Sequence, residues 1–490
     1  MHPAGLGETE RMDSEYDLIV LGGGPVGENV ADRAVQGGLT AVIVESELVG
    51  GECSYWACMP SKALLRPPQA LHAAQDVKGV TGGRLVPADV LARRDEFTEH
   101  WSDQGQVEWL QDAGIDLVRG HGRLSGEREV TVSTDDGERV LHARYAVAIT
   151  TGSKATVPPI PGLADAGAWT SREATSAEQV PASLAIIGGG VVGVEMATAY
   201  AGLGSTVTLI ARGGLLERME PFAGERVADG LRDLGVDVRL HTETTAVHRE
   251  GGTVTLTLGD GSEVTAGEVL AATGRAPRSA DIGLETVGLE TVGLETLGLE
   301  PGKSIDVDDT MRVPGVDWLY AVGDVNGRAL LTHQGKYQAR AAGDVIAARS
   351  RDEVIADQPW GRHVATADHG AVPQVVFTEP EVASVGLTAD AARAAGHEIE
   401  VVDYDLGSVA GASLHADGYR GQARMIVDTA REVLLGVTFV GADVAEMLQA
   451  ATVAVVGEVP ISRLWHAVPA YPTMSEVWLR LLEQYGRQSA

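Results

Sequence analysis

Apolar positions in this chain gather into short unbroken runs that end at glycines. Tyr16 to Leu21 is one such run, and it passes directly into Gly22-Gly23-Gly24-Pro25-Val26-Gly27. A helical pattern from Glu28 to Gln36 follows, then a second apolar run, Ala41 to Val44, ending at Glu45. Strand, glycine turn, helix and strand in that order predict a βαβ unit. The same order recurs further on. Leu184 to Ile187 leads into Gly188-Gly189-Gly190-Val191-Val192-Gly193, a helix from Val194, and a strand from Thr206 to Ile210. Three more strand-like runs end at Thr150-Thr151-Gly152-Ser153, at Ala272-Thr273-Gly274-Arg275 and at Val322-Gly323-Asp324. From about Val372 onward, strands alternate with amphipathic helices and no glycine-rich phosphate loop occurs, which marks a candidate third domain.

The spacing G-x-G-x-x-G has a physical purpose at a strand-to-helix turn. The glycines permit the turn, let the backbone approach a pyrophosphate and pack the helix tightly on the strand. The helix N-terminus then offers N–H donors and positive dipole, while an acid at the end of the second strand accepts ribose hydroxyls. Glu45 stands in that place. Two such units predict two bound dinucleotides, an arrangement suited to electron transfer between a nicotinamide and a flavin.

One repeat has another character. Gly283-Leu284-Glu285-Thr286-Val287 is followed by the same five residues at 288–292, then by GLETL at 293–297 and GLEPG at 298–302. A period of five matches neither a helix nor a solenoid repeat. It reads as a duplication that lengthens a surface loop.

Cysteine usage narrows the chemistry. Cys53 and Cys58 are the only two cysteines, set in Gly50-Gly51-Glu52-Cys53-Ser54-Tyr55-Trp56-Ala57-Cys58-Met59-Pro60-Ser61-Lys62. A structural disulfide closing so short a loop would add little stability, because loop-closure entropy grows with loop length. Zinc would need further ligands, and no Cys/His cluster at zinc spacing lies nearby, so no metal site is expected. Two unrelated buried cysteines are the plain alternative. A redox-active dithiol explains the pairing better.

Composition removes other classes. Hydrophobic residues at 44% suffice for ordinary cores, and 61 glycines suit many βα turns. Aromatics at 4% offer no series of stacking platforms for single strands, and a formal charge of −31 repels phosphate backbones and anionic membranes. Nucleic acid is therefore excluded as a partner, and so is membrane insertion, since no long apolar span appears. Residues 1–14 are polar, lack an apolar signal core and read as a disordered leader, so a reducing cytoplasmic setting is expected.

With these elements assembled, the chain resembles the flavoprotein pyridine nucleotide–disulfide oxidoreductases, a family that includes dihydrolipoamide dehydrogenase, glutathione reductase and mercuric reductase. The likeness runs from Asp17 to Leu482 in the family's order of motifs, and G-G-x-C-x4-C-x-P-S-K is its most specific element. It implies an α/β fold of two Rossmann-like dinucleotide-binding domains plus a C-terminal α+β dimerisation domain. FAD would be held by residues 15–157 and 280–350, NAD(P)H by 158–279, and 366–490 would form the dimer. Gly22, Gly24, Gly27 and Glu45 would bind the ADP part of FAD, with Gly152 nearby and Asp324 at its ribityl or pyrophosphate region. Cys58 would lie against the flavin and Cys53 would face the substrate, with Lys62 paired to Glu195 near the flavin's reactive edge. Gly188, Gly190, Gly193 and Gly274 would serve the nicotinamide nucleotide. Ala211 replaces the acid expected for an NAD ribose, and Arg212 and Arg218 stand where NADPH-specific relatives carry arginines. NADPH is thus the expected coenzyme, with NADH as the alternative.

The resemblance breaks at one motif. Disulfide reductases carry His-Pro-Thr-x-x-Glu, entering the partner subunit's site in a homodimer with a shared active site, with the histidine as acid/base. This chain has Tyr471-Pro472-Thr473-Met474-Ser475-Glu476, so tyrosine replaces histidine while Glu476 remains. Mercuric reductases also carry tyrosine there, but with an additional C-terminal cysteine pair that this chain lacks. His466 is the nearest substitute base. The expectation is a reductase of a quinone-like or other small electron acceptor. The alternatives are a small-disulfide reductase or dihydrolipoamide dehydrogenase and, from another class, a redox sensor or a structural subunit of a dehydrogenase complex.

Overall fold

The structure, a computed structural model, describes residues 14–287 and 299–486. It divides into two compact units. One is built from the segment ending at Cys58 together with Thr98–Lys154 and Arg275–Asp368. The other contains Met59–Phe97, Ala155–Gly274 and the chain from His369 onward.

In the first unit, strand Glu15–Leu21 lies in a seven-stranded sheet between Ala41–Glu45 and Gly137–Ile149, with Ile115–Arg119 beyond Ala41–Glu45. Those pairings are parallel, and strand Leu319–Ala321 also runs parallel to Gly137–Ile149. Leu18, Ile19 and Val20 are wholly buried, because helices and loops cover both faces of the sheet. Helix Pro25–Gln36 starts inside the glycine turn, with Gly24 as N-cap and Pro25 at its first position. That start precedes the expected Glu28, since the fixed φ of proline favours a helix N-terminus. Helix Thr332–Ser350 packs along Pro25–Gln36, with Arg33 closing on Asp344 at 2.6 Å.

In the second unit, a parallel four-stranded sheet orders Asp237–Arg239, Thr206–Ile210, Ser183–Ile187 and Glu268–Ala271. Helix Val191–Gly202 again begins in the glycine turn, with Gly190 as its N-cap. Beyond His369 lies a five-stranded antiparallel sheet in the order Pro373–Val376, Glu381–Gly386, Val433–Gly441, Gln422–Asp428, Ile399–Asp405. The switch from parallel to antiparallel pairing agrees with the loss of glycine loops in that part of the sequence.

The first pentapeptide, Gly283–Val287, is not a surface loop. Leu284 and Val287 are buried against the sheet of the first unit, and an added Cβ on Gly283 would come within 2.1 Å of Leu124 O. Leu299 of the last repeat, GLEPG, is buried in the same cluster, so the repeat carries core residues that its period of five did not reveal. The copies at 288–298 lie outside the described residues, as do 1–13 of the expected leader.

Candidate active site

The first glycine turn is sterically determined. Gly22 has φ +107°, and a Cβ there would fall 2.6 Å from Thr150 O. A Cβ on Gly27 would fall 2.0 Å from Gly22 O, so only glycine lets the helix sit this close to the strand. A Cβ added on Gly24 would meet nothing nearer than 4.0 Å, so that side of the helix N-terminus is open. Leu21 pairs with Val44, so the next residue, Glu45, faces the loop. Its Oε2 accepts from Gly23 N–H at 2.6 Å and its Oε1 from Glu47 N–H at 2.7 Å.

The second turn repeats these contacts atom for atom. Gly188 has φ +123° and a Cβ there would lie 2.3 Å from Ala272 O, while one on Gly193 would lie 2.0 Å from Gly188 O. Gly190 has open space around it. Ile187 pairs with Ile210, so Ala211 takes the register position that Glu45 takes in the first unit. Ala211 is buried, whereas Arg212 and Arg218 are exposed on the loop that follows. Glu217 on that loop, itself exposed, accepts from Gly214 N–H at 2.9 Å. Gly152 and Gly274 both have positive φ, +70° and +139°, at the turns after their strands.

Asp324 belongs to a short 3₁₀ turn, Gly323–Asn326. Its Oδ2 accepts from Ser153 Oγ at 2.5 Å, and Arg275 Nε–H donates to the same Oγ at 2.8 Å. Burial pushes the Asp324 carboxyl up and the serine hydrogen bond pulls it back.

Cys53 lies in the short helix Gly51–Tyr55, and Cys58 opens helix Cys58–Gln75. Both are thiols here, half-buried, with Cys58 Sγ 3.4 Å from Thr332 Oγ1. The Cys53 thiol is pushed up by its hydrogen bond to Cys58 and by burial, and drawn back by Thr332 and Lys336. Cys58, at a helix N-terminus, is the sulfur suited to carry charge.

Lys62 Nζ donates to Glu195 Oε2 at 2.7 Å, and Phe377 N–H donates to Glu195 Oε1 at 3.0 Å. The ammonium also sits 4.8 Å from the centre of the Phe377 ring. Glu195 is almost fully buried, so its charge depends on these two donors.

Tyr471 is 76% exposed. Glu476 is buried, accepts at Oε1 from Arg480 Nη2 at 2.5 Å, and leaves Oε2 buried without a hydrogen bond. His466 is exposed on the loop after helix Ile461–Leu464.

Sequence reasoning passed over three groups. Thr332 reaches Cys58 from outside every motif, whereas Ser153 and Arg275, which meet Asp324, close the Thr-Thr-Gly-Ser and Ala-Thr-Gly-Arg segments without their side chains having been given a role. Glu28 had a local signal, an acid directly after the third glycine of a helix face that is otherwise buried. Its Oε1 is buried without a partner. Burial pushes its carboxyl from an ordinary 4.5 to about 7, with Lys336 pulling down and Glu45 pushing up.

Two glycine-turn nucleotide folds with a thiol pair beside one of them define an oxidoreductase that couples nucleotide cofactors to a dithiol. The chain matches the pyridine nucleotide-disulphide oxidoreductase description over residues 16–343 and that family's dimerisation domain over 372–481. It belongs to this family of enzymes. It is 32% identical to a mercuric reductase of Acidithiobacillus ferrooxidans over 488 residues, covering 97% of this chain and 84% of the relative. A dihydrolipoyl dehydrogenase of Chlorobaculum tepidum is also 32% identical, covering 96% and 97%. The solved Cu(II) complex of the HOCl-induced flavoprotein disulfide reductase RclA from Escherichia coli superposes with a TM-score of 0.80 at 25% identity, covering 96% of this chain and 99% of that one.

The family's cofactors are FAD and NAD(P)H. The residues fit them: open space above Gly24 and Gly190 at two helix N-termini, and a carboxylate at the end of the strand beside the first. Among the described residues no cluster of His, Cys, Asp and Glu suits a metal ion, and no helix is long and apolar enough to cross a membrane.

Proposed function

We propose that this enzyme is an NADPH-preferring reductase that sends electrons through FAD and the Cys53–Cys58 pair to a quinone-like or other small acceptor. Residues 15–157 and 280–350 would hold FAD, 158–279 the nicotinamide nucleotide, and 366–490 the contact of a homodimer with a shared active site, in a cytoplasmic setting. Bound FAD supplies the two-electron chemistry that links a nicotinamide nucleotide to a dithiol.

The chain's own groups have separable tasks in this reading. Gly22, Gly24 and Gly27 admit the diphosphate of FAD to the helix N-terminus, and Glu45 accepts from its ribose. Gly152 and Asp324 border the same nucleotide. Gly188, Gly190, Gly193 and Gly274 do the equivalent for NADPH, with Arg212 and Arg218 for the 2′-phosphate, which guanidinium groups match in charge and geometry. Cys58 holds negative charge and Cys53 holds a proton on the reduced pair. Glu195 keeps the Lys62 ammonium in one place.

The observation that carries the choice of acceptor is the phenol at Tyr471. Exchange with an external disulfide needs a group that takes up and returns a proton, and a phenol with a pKa of about 10 accepts one poorly near neutrality. Glu476, whose Oε1 is committed to Arg480, is not a free replacement. Reduction of a quinone to its quinol also takes up two protons, but solvent can supply them, so no base positioned at the dithiol is required.

The deciding experiment is anaerobic oxidation of NADPH and NADH by the FAD-loaded enzyme with a quinone, lipoamide, glutathione disulfide, Hg(II) and Cu(II), and separately with oxygen. Quinone turnover at least tenfold above disulfide turnover is expected. Ordinary enzymatic rates with lipoamide or glutathione disulfide would move the assignment to the disulfide reading. No turnover with any acceptor would favour a sensor or structural subunit. Sedimentation of a fully active monomer would remove the shared site.

A further inference from the structure

Helix Thr332–Ser350 brings a second polar group to the dithiol besides Thr332. Lys336 lies four residues on from Thr332, on the same helix face. Gly335 sets how closely that face approaches helix Pro25–Gln36, since a Cβ there would fall 2.6 Å from Val26 Cγ2. Gly343 repeats the approach two turns later, where a Cβ would fall 2.5 Å from Arg33 Cβ. The close approach at both crossings brings the helix turn that carries Lys336 against the N-terminal half of Pro25–Gln36, within electrostatic reach of Glu28. The Lys336 charge acts on Glu28 and on Cys53 alike, lowering the proton affinity of each. Among the described residues its ammonium makes no hydrogen bond or ion pair of its own. Facing Glu28 are Lys336, Glu45 from the end of strand Ala41–Glu45, and Tyr55 from helix Gly51–Tyr55. Facing Cys53 are Cys58, Thr332 and Lys336.

We propose that Lys336 is the counter-ion of the reduced Cys53–Cys58 pair, and that Glu28 governs how much of its charge the sulfurs feel. A neutral Glu28 leaves the ammonium to the thiolate, and an ionised Glu28 shares it. The proton lost when the pair ionises goes to solvent. A cation supplied by the same chain has a clear purpose, because Tyr471 cannot carry positive charge and the chain's formal −31 opposes any buried anion. The inference rests on the dithiol relay proposed above, and its test is chosen so that the two fail in different ways.

The FAD-loaded enzyme is reduced anaerobically with NADPH, and iodoacetamide labelling of Cys53 and Cys58 is followed by mass spectrometry from about pH 5.5 to 9.5, which spans the usual thiol range. Lys336→Met is expected to slow labelling near pH 7 about tenfold, moving the inflection up by roughly one pH unit. Lys336→Arg should keep the wild-type profile. Glu28→Gln should speed labelling about twofold to fivefold above about pH 7 and remove the inflection there. Flavin absorbance and thermal unfolding check each variant, and Lys336→Gln replaces the methionine variant if that one does not fold. A Lys336→Met profile that superimposes on wild type, with both thiols appearing on reduction, overturns the inference alone. If NADPH uncovers no new thiols, the relay falls and takes the counter-ion with it.

Discussion

Ala211 occupies in the second nucleotide unit the register position that Glu45 occupies in the first. In both, the preceding strand residue pairs with the last apolar residue before the glycines, Val44 with Leu21 and Ile210 with Ile187. The two units are close to superimposable in their glycine contacts and differ in charge at one point. A carboxylate there accepts ribose hydroxyls and repels a 2′-phosphate, whereas a buried methyl beside two exposed arginines does neither.

The coenzyme preference follows. Each charge-assisted contact contributes about 1.5–3 kcal/mol, so with Arg212 and Arg218 on the 2′-phosphate NADPH is expected to exceed NADH by about a hundredfold or more in kcat/KM. Arg212→Ala/Arg218→Ala should lower kcat/KM for NADPH by a similar factor and leave NADH nearly unchanged. Steady-state kinetics with both coenzymes measure this, and equal values in wild type that persist in the double variant would refute it.

The two glycine turns should fail separately. A methyl on Gly27 meets Gly22 O at 2.0 Å and one on Gly193 meets Gly188 O at 2.0 Å, overlaps that force the helix off the strand at a cost of about 1–3 kcal/mol. Gly27→Ala should be purified with little flavin. Gly193→Ala should keep full flavin absorbance and lose coenzyme binding, read by titration with NADP⁺. Full occupancy of both sites in both variants would contradict this assignment of the turns.

Tyr471→His should restore an imidazole to the C-terminal motif. Positioned acid/base catalysis contributes about 10²–10⁴-fold, so disulfide turnover should rise by tenfold or more while quinone turnover stays much the same. His466→Ala in the wild-type background should leave both rates unchanged, given its exposed place on a loop. A large loss of disulfide turnover in that variant would transfer the acid/base role to His466.

Glu28 makes the stability of the flavin-free protein depend on pH. Its carboxyl is raised in the fold from 4.5 to about 7, so the folded state binds the proton more tightly than the unfolded chain. That stabilisation is fully present below pH 4.5 and is lost as pH rises through about 7. The full swing is on the order of 3 kcal/mol. Glu28→Gln should flatten this part of the profile, measured as Tm or denaturation midpoint of apoprotein between those limits. Identical pH profiles for wild type and Glu28→Gln would remove Glu28 as the titrating group.

What the amino-acid sequence determined by itself was every feature governed by sterics or spacing within a few residues. Glycines needed for a positive φ and a close helix approach, the cysteine pair, the acid at Glu45 and its absence at Ala211 all lie inside single supersecondary units. Backbone geometry leaves those positions few alternatives, so their residue types announce them. The tertiary structure alone decided which distant groups meet. Thr332 reaches Cys58 across 274 residues and Ser153 reaches Asp324 across 171, whereas the Lys62–Glu195 pair, 133 residues apart, was expected from the family resemblance. Lys336 comes within electrostatic reach of Glu28 where Gly335 and Gly343 let two helices pack closely. Nothing in the local pattern distinguishes that lysine from one on a solvated helix. Leu284, Val287 and Leu299 of the pentapeptide repeat likewise take their role from the sheet they pack against, which a period of five does not announce. Local conformational restriction is written in neighbouring residues, whereas side-chain encounters depend on how whole elements pack, and that packing is set by many weak contacts spread through the chain.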